Sequence, residues 1–387
     1  MRKHWVGLLV AVSAMAVAQA ALHAQPPVQT VWQMQDSGST AGLRGIDSVD
    51  GKVAWASGTG GTVLRTVDGG EHWTKCAVPD AAIDGATLDF RGVQAWDAMT
   101  AIVMASGPGE KSRLHKTTDG CRKWRLLLLN PEKDGFWDAL YFAKRGDGRG
   151  RGNTGYLLGD PVNGVLWLLV SRDSGRHWIK QRGAGLQASS ASQSVFAASN
   201  SSFIFNNGFM VFASGGSGGA FVYRVVETSI CLDDCPPAEM NLDGKDDKWK
   251  QQRVPLGENT ESSGIFSIGA QADYFGAPPL GSKVFVAVGG DYTKPNDSTG
   301  TAAWSADGGE HWTASAKPPH GYRSTVQWSE SLKVWITAGT DGSDVSRDDG
   351  RTWQPLDDGN WNALSLPFVV GPNGRIGRLN AGALPRP

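Results

Sequence analysis

Short apolar runs alternate along the chain with breaks rich in Gly, Asp and Ser. That is the pattern of many brief β-strands joined by turns, not of helices. The runs fall into recurring sets. One set comprises Leu43-Arg44-Gly45-Ile46, Phe90-Arg91-Gly92-Val93, Phe136 to Leu140, Ser194-Val195-Phe196, Gly264-Ile265-Phe266, Tyr322 to Val326 and Trp361 to Leu364. A second set follows it and ends in Gly turns: Ala54 to Gly58, Ala101 to Gly107, Gly155 to Asp160, Phe209 to Gly215, Val284 to Asp291 and Val334 to Gly339. A third set, exemplified by Thr62-Val63-Leu64, Val165 to Val170 and Thr301 to Trp304, leads into a polar turn that closes on a tryptophan.

That turn is the most regular feature of the chain. Ser/Thr-x-Asp-x-Gly-x-x-Trp occurs at Thr66 to Trp73, Ser171 to Trp178, Ser305 to Trp312 and Ser346 to Trp353, and Thr117 to Trp124 repeats it with Cys121 in the glycine place. Its chemistry is that of a tight hairpin. Asp68, Asp119, Asp173, Asp307 and Asp348 can accept backbone N–H groups of their own turn, and the glycine takes positive φ without steric cost. Trp73, Trp124, Trp178, Trp312 and Trp353 then cover the turn with an apolar ring as the return strand begins. One long gap between copies leaves room for a decayed one, and Asn241 to Trp249 lies there, one residue too long.

The pattern resembles the Asp-box, or BNR repeat, of β-propeller proteins. A repeat of about 40 to 55 residues with four short strands per unit is the propeller signature. The fold class read from it is all-β: a seven-bladed β-propeller with four-stranded antiparallel blades. Thr30 to Gln35 looks like the strand that follows each box, and too little chain remains after Trp361 for four strands. The N-terminal strand is therefore expected to complete the last blade and close the ring. Blade four carries an insertion at about 227–248. In this resemblance the box is architectural and carries no catalytic group.

Residues 1–24 read as an export signal. Arg2, Lys3 and His4 precede the apolar run Trp5 to Ala18, Ala18-Gln19-Ala20 is a cleavage pattern, and a second cut is possible after Ala24. Residues 25–387 form a single propeller in this reading, exported to the periplasm or the extracellular space, with no membrane span after cleavage. The formal net charge of -1 argues against nucleic-acid or anionic-membrane partners, which call for a basic face. The four cysteines suit an oxidising compartment. Cys231 and Cys235 could close a small loop, and Cys76 and Cys121 could bridge two blades or remain free thiols. Neither the cysteines nor the histidines have metal-site spacing, and Asn241, Asp243, Asp246 and Asp247 lack the spacing of a calcium loop. No metal and no cofactor is expected.

If the boxes occupy one face of the disc, the opposite face gathers Arg44, Arg91 and Arg323 beside Asp138, Asp160, Asp291 and Asp341, with Trp137, Tyr292, Tyr322 and Trp361. Charged and aromatic groups converging on a propeller mouth make a ligand or partner site; the alternative is that they pair with one another around a wet channel. The Leu/Phe-Arg-Gly-Ile/Val strand and the run Gly58 to Thr66 are similar to the photosystem II stability/assembly factor family, most closely in the first two blades. That resemblance implies a chaperone-like, non-catalytic role, with assembling membrane-protein subunits bound through an arginine-rich face. This chain keeps arginine at 44, 91 and 323 and departs at Asp138, Ser194 and Gly264.

The competing reading is a glycoside hydrolase. Sialidases also carry Asp-boxes on propellers, but they need a tyrosine nucleophile with an acid/base pair, and their Arg-Ile-Pro signature is missing here. Asp138, Asp160 and Asp291 could supply an acid and a base. The reading taken forward is an exported propeller that binds a protein or cell-envelope component, with a glycan as the lesser possibility.

Overall fold

The computed structural model describes residues 30–142, 154–206, 209–226, 248–271 and 283–386. Strand β1 (Trp32–Gln35) comes first. Blade one is β2 (Leu43–Ser48), β3 (Ala54–Gly58), β4 (Val63–Thr66) and β5 (Thr74–Lys75). Blade two is β6 (Phe90–Ala95), β7 (Ala101–Ala105), β8 (Arg113–Thr117) and β9 (Arg125–Leu129). Blade three is β10 (Trp137–Phe142), β11 (Gly155–Val162), β12 (Val165–Ser171) and β13 (Ile179–Lys180). Blade four is β14 (Phe203–Asn206), β15 (Phe209–Ser214), β16 (Phe221–Val226) and β17 (Lys250–Arg253). Blade five is β18 (Ser263–Ala270), β19 (Phe285–Asp291), β20 (Ala302–Ser305) and β21 (Thr313–Ala314). Blade six is β22 (Thr325–Ser329), β23 (Val334–Gly339), β24 (Gly342–Ser346) and β25 (Gln354–Asp357). β26 (Ala363–Ser365), β27 (Phe368–Val370) and β28 (Ile376–Leu379) complete the list, and β28 pairs antiparallel with β1.

The seven sheets are each four-stranded and antiparallel, and the seventh runs β1-β28-β27-β26. The N-terminal strand thus closes the ring. Closure is held by side chains as well as backbone: Trp32 is buried against Trp361, and its indole Nε1 donates to Ser343 Oγ at 2.9 Å. The core lies between blades. Successive sheets stack Val, Ile, Leu and Trp faces, such as Trp55 with Phe90 and Val93, or Trp335 with Val286 and Val326. Each such side chain contributes roughly 1.5–3 kcal/mol by leaving water.

All five of these turns, including the copy with Cys121 (φ 66°) in the glycine place, join a third strand to a fourth. In the Ser305 to Trp312 copy, Ser305 Oγ donates to Asp307 Oδ1 and accepts the Gly309 N–H, while Asp307 Oδ1 also accepts the Glu310 and His311 N–H groups. Gly308 and Gly309 have φ of 80° and 85°, which explains the glycine. Blade four differs from expectation. Its regular inner strand is β14, whereas Ser194 forms only an isolated bridge to Gly215. Most of the expected insertion lies outside the described residues, as do Cys231, Cys235, Asn241, Asp243, Asp246 and Asp247. Cys76 and Cys121 are disulfide-bonded, Cα–Cα 5.3 Å, and tie blade one to blade two.

Candidate functional site

The mouth is built by a bulge repeated from blade to blade. Pairing of the first two strands skips one residue between Leu43 and Gly45, Phe90 and Gly92, Trp137 and Ala139, and Ile265 and Ser267. The skipped residues are Arg44, Arg91, Asp138 and Phe266, and a bulge re-aims such a side chain. The same place in blade four falls to Phe196, because Gly215 N–H bonds Ser194 O just as Ser106 and Asp160 N–H bond Asp89 and Phe136 O. In blades six and seven it falls to Ser324 and Asn362, whose N–H groups reach the carbonyls of Ala338 and Val370. These are already the partners of Thr325 and Ala363. The ring therefore reads Arg44, Arg91, Asp138, Phe196, Phe266, Ser324, Asn362.

One side of this ring is cationic. Asp89 sits between the two arginines, 2.8 Å from Arg91 Nε and 3.9 Å from Arg44 Nε, so a single carboxylate answers two guanidiniums. Burial and the nearby Arg91 lower the Arg44 pKa. Asp138 does not restore the balance. Its burial and the adjacent Asp160 push its carboxyl well above the usual range, against the opposing pull of Arg91, and its Oδ2 has no hydrogen-bond partner. The other side is aromatic. Phe196 stacks on Phe266 with centroids 4.0 Å apart, Tyr322 and Tyr292 pack edge-on against Phe266, and Tyr292 is 52% exposed.

Below the ring the axis is closed. The segment 197–202 bonds inner strands on both sides of its own blade. Ala197 O accepts from Arg91, Asn200 bonds Leu140 N and O, Ser201 bonds Ser267 Oγ and Ile268 N, and Ser199 Oγ donates to Ser324 O. Reaching blades two, three, five and six from blade four requires crossing the axis. The mouth is thus a basin over this segment, and its two arginines pair with Asp89 as one of the sequence readings anticipated for such charges.

Several anticipated site residues lie elsewhere. Arg323 precedes the bulge by one residue and points away from the axis. Both it and Asp344 are fully buried, and Arg323 Nε donates to Asp344 Oδ2 at 2.7 Å. Trp137 and Trp361 occupy that same pre-bulge place and are core residues. The departures from the arginine pattern therefore fall at Asp138, Phe196, Phe266, Ser324 and Asn362, and not at Ser194 and Gly264. Asp160 accepts from Ser194 Oγ and Val195 N–H. Asp291 accepts from Thr260 Oγ1 and from Thr293 N–H and Oγ1. Burial pushes Asp291 up, but the hydrogen bonds from Thr293, Ser262 and Thr260 outweigh it and hold the pKa at about 2. Asp341 lies in the turn between β23 and β24, beside Gly321. Asp160 Oδ1 thus ties blade three to the start of the blade-four segment beside the buried Asp138, and Asp291 is held by threonines of two flanking loops. Sequence reasoning passed over Asp89, Phe196 and Phe266 as site residues. The signal was present: in most blades the ring residue stands between an apolar and a small residue, as in Val195-Phe196-Ala197 and Ile265-Phe266-Ser267.

Fold and site together define a closed seven-bladed propeller with a floored, half-cationic and half-aromatic mouth. Solved structures of the same architecture include one described as YCF48 bound to D1 peptide, at TM-score 0.53 and 18% identity over 91% of this chain and 97% of that one. Another, YCF48 from Cyanidioschyzon merolae, matches at TM-score 0.57 and 17% identity over 91% and 100%. At this identity the likeness is one of fold. No family model and no curated protein matches the chain.

Proposed function

We propose that this protein is an exported, non-catalytic propeller that holds a protein partner at its mouth, in the manner of an assembly factor of the cell envelope. The observation that carries the reading is the ring itself. Arg44 and Arg91 share one carboxylate beside an accessible shelf of Phe196 and Tyr292. Arginine and large aromatics in a partly desolvated concavity are the groups that dominate protein-binding energy. The floor at 197–202 favours a segment that enters and stops over one that threads through. Support for a protein over a glycan comes from the peptide in the YCF48 structure and from the resemblance to the photosystem II stability/assembly factor family. The N-terminal segment supports export.

The test is an array of peptides drawn from exported and membrane-protein termini, probed with the mature protein and with Arg44→Ala/Arg91→Ala and Phe196→Ala. Binding by the parent, weakened roughly tenfold or more in each variant, is the expected result. Hydrolysis of aryl glycosides by the parent protein, lost in Asp138→Asn, would instead establish the enzyme reading.

A further inference from the structure

Of the exposed large aliphatic side chains, Val67 and Ile83 flank β5 of blade one, and three others stand on the outer strands of blades two and three. Leu126 (41% exposed), Leu129 (37%) and Ile179 (36%) stand on β9 and β13, the outermost strands of neighbouring blades. The Ser171 to Trp178 turn joins the two: an added Cβ on its Gly175 would lie 3.1 Å from Leu127 of β9. Around the aliphatics stand Arg122, Lys123, Arg125, Arg176 and Arg182, all exposed. Among the described residues none of these five has a carboxylate partner. The acids beside them are fewer: Asp119 and Asp173 accept the N–H groups of Arg122, Lys123, Arg176 and His177, and Glu132 lies near Lys180. Other outer strands are short and polar, such as Thr74-Lys75, Thr313-Ala314 and Lys250-Gln251-Gln252-Arg253.

We infer that this rim, formed by β9, β13 and the turns before them, is a peripheral docking surface for an anionic lipid bilayer. Exposed aliphatics surrounded by an excess of Arg and Lys are the combination that holds a protein in the headgroup region: cations meet anionic headgroups while the apolar groups enter the acyl boundary. The overall charge of -1 conceals this local excess. The cations also argue against a second copy seated edge to edge on β9, since the two copies would oppose like charges. Charges beside an edge strand do protect it from association. Arg125 and Lys123 would suffice for that, and protection of β9 gives no reason for Ile179, Arg176 and Arg182 in the next blade. The rim is separate from the mouth, so docking there leaves Arg44 and Arg91 free, and the inference does not rest on the proposed partner.

The test is co-sedimentation of the mature protein with phosphatidylcholine vesicles, with or without roughly one-third phosphatidylglycerol. Binding is expected only to the anionic vesicles. It should fall roughly tenfold in Lys123→Glu/Arg125→Glu and on raising salt, and several-fold in Leu126→Ser/Leu129→Ser. It should be unchanged in Arg44→Ala/Arg91→Ala. Absent or lipid-independent binding overturns the inference. A charge effect without a leucine effect does so too, since it describes counter-ion adsorption only. Sedimentation of the parent as a dimer that Leu126→Ser/Leu129→Ser converts to monomer overturns it in favour of self-association.

Discussion

Asp344→Ala should be among the most damaging single substitutions in the chain, for a reason that separates Arg323 from the mouth arginines. Arg323 is fully buried, its Nε and Nη2 engage Asp344, and its remaining contacts are Tyr322 O at 2.8 Å and His320 Nδ1 at 2.9 Å. Among the described residues Asp344 is the only carboxylate in contact with it, and it is equally buried. Deleting Asp344 leaves a guanidinium that cannot deprotonate and cannot reach water, a loss of about 3–5 kcal/mol. At about 2 cal/mol/K of unfolding entropy per residue, a chain of 387 residues turns that into a melting shift of about 4–6 °C. Replacing both partners by apolar residues of similar size, Arg323→Met/Asp344→Leu, removes the stranded charge as well as the pair. It should therefore cost less than Asp344→Ala alone. Thermal and urea unfolding of the two variants, with folding checked by circular dichroism, measures this. If Asp344→Ala is as mild as a surface change, about 0.5 kcal/mol, or if the double replacement is the worse of the two, the assignment of Arg323 to the frame is refuted.

Breaking the Cys76–Cys121 bridge, by reductant or by Cys76→Ala/Cys121→Ala, should destabilise by about 4 kcal/mol in the chain-entropy treatment, because the bond closes a separation of 45 residues. An unfolding midpoint indifferent to reductant, with both thiols shown free by alkylation, would refute it. The turn carboxylates give a second, acid-side expectation. Asp173 and Asp307 are pushed up by burial, yet bonds from their own turns outweigh that and bring both pKa values to about 2. A folded pKa below the unfolded value means stability present above pH ~4 and lost as pH falls toward 2. Melting temperature followed from pH 5 to pH 2 should drop across that window, and Asp307→Asn should flatten the drop.

What could be read from the chain divides along the range of the interactions involved. The turn motif was legible because each of its positions answers a bond inside the same eight residues. Ser305, Asp307 and Gly309 satisfy one another, so the turn recurs five times with nearly the same letters, Cys121 being the one departure at the glycine place. Strand count and ring closure were legible for a similar reason, since alternation and turn residues are local. The mouth was only half legible. A ring position is fixed by register and not by one side-chain type, so it is occupied by Arg, Asp, Phe, Ser or Asn without any recurring letter. Matching by letter alone drew Arg323 into the arginine set, one residue out of register and on the core side of the strand. The floor was not legible at all. Ala197 to Ser202 is a plain polar stretch whose partners, Arg91, Leu140, Ser267 and Ser324, lie 60 to 125 residues away in sequence. Only closure of the ring brings those groups to one axis, and only then do the hydroxyls of Ser199 and Ser201 acquire a role. A reading that aligned blades by the small residue after the bulge, Gly45, Gly92, Ala139, Ala197, Ser267, would have found Phe196 and Phe266, and with them the aromatic half of the mouth.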